Sequence, residues 1–63
     1  MANSNSSGEI AEVEGGVVIL NGATIIARWD GYGQEIWTLP DNAWGREQAR
    51  ENFVDMVERW NGR

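Results

Sequence analysis

Cysteine and histidine are both missing from this 63-residue chain. No disulfide can brace it, the usual structural zinc ligands are missing, and thiol or imidazole catalysis is excluded. Basic residues are scarce, five against ten acidic ones, for a formal charge of −5. Nucleic-acid backbones repel such a chain unless its few arginines cluster. No apolar run approaches the roughly 20 residues needed to span a bilayer as a helix. The first eight residues, M-A-N-S-N-S-S-G, have neither the basic start nor the apolar core of a signal peptide. Cytoplasmic residence is the default expectation, with no membrane contact.

What is present is aromatic and β-branched. Four Trp, one Tyr and one Phe supply much of the material for a core. Each buried aromatic removes about 150–250 Å² from water. A chain this short still buries only about 60% of its unfolded surface. Oligomerisation is the remaining way to enlarge such a core.

The stretch 17–39 organises the chain: V-V-I-L-N-G-A-T-I-I-A-R-W-D-G-Y-G-Q-E-I-W-T-L. Asn21-Gly22 lies between two β-branched runs and suits a two-residue hairpin turn. It would set Leu20 opposite Ala23 and Val18 opposite Ile25. The second break, Asp30-Gly31-Tyr32-Gly33, is rich in residues that tolerate turn geometry. A strand from Gln34 to Leu39 follows, and Pro40, with no N–H to donate, closes it. Upstream, Glu9–Glu14 reads as a further edge strand whose glutamates discourage extra pairing. A Gly15-Gly16 turn would pair Val13 with Val18 and Ala11 with Leu20. The competing reading of that segment is a loose acidic lead-in.

One face then gathers Val18, Leu20, Ala23, Ile25, Ala27 and Trp29. The other gathers Val17, Ile19, Thr24, Ile26 and Arg28. A sheet with one wet face alternates more cleanly than this. The face of Trp37 depends on the loop before it. A four-residue loop puts Arg28 opposite Glu35 and carries Trp37 and Leu39 to the Ile26 side, and this register is favoured for its charge pair. A three-residue loop slips the pairing by one and turns Trp37 to the Trp29 side.

From Arg46 to Trp60 the spacing is helical, with Ala49, Phe53, Met56, Val57 and Trp60 on one stripe. Asp41 is the expected cap of a short turn before it. Glu47 falls in the first turn of this helix and Arg59 in the last, each complementing the dipole. Gly62 is the expected αL stop. Asp55 and Arg59 can pair across one turn. The fold class is therefore α+β: a three- or four-stranded antiparallel meander followed by one amphipathic helix across one sheet face. Residues 1–8, small and polar, form a disordered tail, and residues 9–63 form the single domain.

Chemistry is harder to find. Ser4, Ser6 and Ser7 lie in the tail without a base to activate them. Glu12 and Glu14 share a strand face but have no cleft to separate their roles. D-G-Y-G-Q-E lacks the spaced oxygen ligands of a calcium loop, and G-Y-G lacks the length and lysine of a phosphate loop. No catalytic, metal or cofactor site is expected. In the order of its elements, strands then helix, the chain resembles the plant AP2-type and phage-integrase arm-type DNA-binding domains. That resemblance implies DNA contact through the sheet. Those domains carry several basic residues there, whereas Arg28 is the one basic residue between Met1 and Gly45.

The expectation is a non-catalytic acidic interaction or regulatory domain that pairs with itself as a homodimer, or with another protein, through the sheet face opposite the helix. The size and tail fit a short phage or bacterial accessory protein. The interface residues are Val17, Ile19, Ile26, Arg28, Tyr32, Trp37 and Leu39. Contiguous apolar patches mark interfaces, and Trp, Tyr and Arg are enriched at their hot spots. Tyr32 has a second reading, folding back over Trp29. The alternatives are a nucleic-acid-binding module using Trp29, Tyr32 and Trp37 as stacking platforms, and an acidic mimic in which Glu9, Glu12, Glu14 and the helix acids imitate phosphates toward a basic partner.

Overall fold

A computed structural model describes residues 8–61. Four strands, β1 (Gly8–Val13), β2 (Gly16–Asn21), β3 (Thr24–Trp29) and β4 (Gly33–Thr38), form one antiparallel sheet in the order β1-β2-β3-β4. One helix, α1 (Ala43–Trp60), follows and packs on one face. The α+β meander is as expected, and Glu9–Glu14 belongs largely to β1. Gly8 opens that strand; the rest of the expected tail, and the αL stop at Gly62, lie outside the described residues.

Both two-residue turns sit one place away from the expected dipeptides. The first is Glu14-Gly15, so Val13 pairs with Gly16 and Ala11 with Val18. The second is Gly22-Ala23, with Gly22 at φ 63°, so Leu20 pairs with Ile25 and Val18 with Ala27. Each shift changes the partner by two residues. Since side chains alternate with period two, every residue keeps its face.

The third connection differs in a way that matters. It is the three-residue loop Asp30-Gly31-Tyr32, with Trp29 opposite Gly33 and Arg28 opposite Gln34. The Tyr32 amide donates to the Trp29 carbonyl at 3.1 Å, and Gly31 turns the chain at φ 81°. The favoured Arg28–Glu35 pairing is therefore corrected: Glu35 lies opposite Ala27, and Trp37 opposite Ile25 on the helix side. The Leu39 amide continues the ladder, donating to the Ala23 carbonyl at 2.9 Å. Trp37 and Leu39 both pack against the core. A surface charge pair contributes some tenths of a kcal/mol. Burying one large apolar side chain contributes about 1.5–3 kcal/mol. The second term sets the register.

The core gathers Val13, Val18, Leu20 and Ile25 from the sheet and Ala49 and Phe53 from the helix. Met56, Val57 and Trp60 continue the helical stripe, and Trp29 meets Trp60 edge-on with ring centroids 4.8 Å apart. The helix starts three residues earlier than its apolar stripe suggests. Its cap is Asn42 rather than Asp41: the Asn42 side chain accepts from the Gly45 amide at 2.7 Å. Asp41 instead pairs with Arg46 at 2.9 Å. The earlier start moves Glu47 out of the first turn, which holds no acid, while Arg59 stays in the last turn and pairs with Asp55 at 3.2 Å. Gly45 is buried inside the first turn, where a Cβ would stand 1.7 Å from the Pro40 carbonyl oxygen. Arg50 reaches the Glu9 carboxylate, and the Asn61 side chain donates to the Glu12 carbonyl at 3.2 Å, tying α1 to β1. The helix lies over β1, β2 and β3 and does not closely approach β4.

Candidate functional site

The sheet face turned away from α1 is the candidate site. Alternation along each strand places Ile10 and Glu12 of β1, Val17 and Ile19 of β2, Thr24, Ile26 and Arg28 of β3, and Gln34, Ile36 and Thr38 of β4 on this side. The registers align them in rows across the strands. Ile10 is opposite Ile19, Ile19 opposite Ile26, and Ile26 opposite Ile36. Four isoleucines thus cross the whole sheet in a single row. Ile10 is 71% exposed and Ile36 54% exposed, while Ile19 and Ile26 are partly buried by their neighbours. On one side of this row lie Asn21, Thr24 and Thr38; on the other lie Glu12, Val17, Arg28 and Gln34.

The polar row has internal structure. Arg28 Nε donates to Gln34 Oε1 at 3.2 Å, which leans the guanidinium over β4. Glu12 lies two strands away, with Val17 between them. Among the described residues, neither Glu12 nor Arg28 takes part in an ion pair. An open depression forms where Val17, Arg28 and Gln34 meet the Asp30-Gly31 loop.

Of the seven expected interface residues, Val17, Ile19, Ile26 and Arg28 share this face. Tyr32 stands at the tip of the third loop, 88% exposed, so it does not fold back over Trp29. Trp37 and Leu39 lie on the other face, packed against the core, for the reason of register given above. Two residues were missed. Ile10 was legible once Glu9–Glu14 was read as a strand, since it falls on the reverse side from Ala11 and Val13. Ile36 was concealed by the four-residue loop, which would turn it toward the helix.

Among the described residues, no group of three or more acidic side chains is placed to hold a metal ion. Nor is any helix there long and apolar enough to cross a membrane. Comparison with protein-family models, with curated proteins and with solved structures found no match.

Proposed function

We propose that this chain is a non-catalytic interaction module whose open sheet face is covered by a second copy of itself. The observation that carries the proposal is the isoleucine row. Side chains of this kind contribute about 1.5–3 kcal/mol each when fully removed from water. A two-fold contact covers the same patch on both copies at once. The patch is also poor in charge, with Glu12 and Arg28 as its charged side chains. Its one arginine is matched by one glutamate, which favours a protein surface over a phosphate backbone as the occupant.

The size of the face sets the strength of the contact. Four strands of six residues offer a footprint of roughly 20 × 20 Å. A standard interface buries about 800 Å² on each partner. A face of this footprint gives a small contact, and the expected dimer forms at micromolar or higher concentration.

Sedimentation equilibrium over a wide concentration range tests this. The wild-type chain is expected to pass from monomer to dimer as concentration rises. Ile26→Glu, placing a charge in the middle of the row, is expected to remain monomeric with its helical circular dichroism intact. A wild-type chain that stays monomeric near 1 mM would overturn the proposal. A dimer indifferent to Ile26→Glu would move the contact to another surface.

A further inference from the structure

Resting on the self-association proposed above, we infer that the two copies pair about an axis running parallel to the strands, midway between β2 and β3, so that Glu12 of each copy meets Arg28 of the other. Two sheets packed face to face with strands nearly aligned allow two simple placements of a two-fold axis in the interface. An axis parallel to the strands reverses strand order and keeps each row on itself. It lays β1 over the second copy's β4, and β2 over its β3. An axis across the strands keeps strand order and reverses the rows. It lays each strand over its own equivalent and the Glu12 row over the threonine row. Both superpose the isoleucine row on itself, so the apolar contact does not choose between them.

The charges choose. With the axis along the strands, Glu12 of one copy lies over Gln34 of the other, about 4.8 Å to the side of Arg28. Arg28 already leans that way, held by its hydrogen bond to Gln34 Oε1. The guanidinium is thus directed toward the place where the opposing carboxylate arrives. Its remaining N–H groups, which the Gln34 bond leaves open, face an acceptor. With the axis across the strands, Arg28 lies over Thr24 and Glu12 over Gly8, and neither charge finds its opposite. An orthogonal packing also separates them or sets Glu12 against Glu12. Within one copy the two residues stand on β1 and β3, about 10 Å apart across the sheet. Their charges therefore find partners between copies.

The chain has no cysteine of its own, so single-cysteine variants report the axis directly. Ile10→Cys and Ile36→Cys lie at opposite ends of the row and are exposed. Facing positions on sheets packed about 10 Å apart lie beyond disulfide reach but within that of a short bis-maleimide. With the axis along the strands, Ile10 of one copy lies over Ile36 of the other, while two Ile10 positions are also offset sideways by about 14 Å, beyond such a linker. Mixing the two variants with the bis-maleimide is expected to yield the mixed cross-link and little of either self-linked product. A rapid self-linked Ile10→Cys product would place the axis across the strands and overturn the inference. A charge exchange adds an independent reading. Arg28→Glu is expected to weaken the wild-type dimer at least tenfold, and adding Glu12→Arg to recover most of the loss, because each dimer holds two such pairs. A dimer abolished by Ile26→Glu but showing neither the mixed cross-link nor the charge recovery overturns the axis and leaves the face as the interface. A wild-type monomer overturns both.

Discussion

Gly45 sits where the chain folds back from β4 to start the helix, and its missing side chain permits the contact with Pro40. A Cβ there would stand 1.7 Å from the Pro40 carbonyl oxygen and 2.8 Å from its carbon. Backbone atoms cannot swing aside as a side-chain tip can. Gly45→Ala is therefore expected to cost at the upper end of the about 1–3 kcal/mol typical of overpacking. This outweighs any gain in helix propensity, about 1 kcal/mol for Gly to Ala. Asn42→Ala removes the cap and is expected to cost about 1 kcal/mol. In a chain of this size that lowers the melting temperature by roughly 4–8 °C. Thermal melts followed at 222 nm check both substitutions; a neutral Gly45→Ala would mean that the Pro40 turn yields easily. Asp41 and Asn42 are both capable caps by residue type. What separates them is backbone placement: Asn42 stands three residues before the Gly45 amide it accepts from, a distinction no dipeptide preference carries.

At the scale of elements, Phe53 is the side chain on which the helix depends. It is buried with Ala49 against Val18, Leu20 and Ile25. Phe53→Ala is expected to cost about 3–5 kcal/mol. Stability of roughly 0.05–0.15 kcal/mol per residue gives this chain a total of the same order. The variant is expected to lose most of its helical signal at 25 °C, and a native spectrum would show that the sheet holds together without this anchor. The elements themselves were largely legible. β-branched runs mark β2 and β3, and the three-and-four spacing from Ala49 to Trp60 marks α1. The faces of β1, β2 and β3 were legible as well, because a turn misplaced by one position moves the pairing by two and preserves parity. The Asp30 loop is the case where parity fails. Three and four residues are equally compatible with D-G-Y-G, and only the burial of Trp37 and Leu39, a tertiary effect, decides between them. The candidate site inherited that ambiguity: its centre, Ile19 and Ile26, was read from the sequence, and its far end, Ile36, was not.

Across the whole molecule the helix is off centre. It lies over β1, β2 and β3, and Arg50 and Asn61 bind it to β1. The last strand has no helix above it. It is held by its ladder to β3 and by the packing of Trp37 and Leu39. Edge strands supported on one side open more readily than the rest of a sheet. Hydrogen–deuterium exchange is expected to divide the molecule accordingly. Amides of β4 that bond to β3 should exchange through a local opening, several-fold to many-fold faster than those shared between β2 and β3, which should wait for global unfolding. Equal protection across the sheet would mean that Trp37 alone locks the strand to the rest. The off-centre helix thus makes the final strand a separate unit of opening. Ile36 rides on that strand, so pairing between copies would slow its exchange as protein concentration rises, and the deuterium uptake of six residues would report assembly from within a single chain.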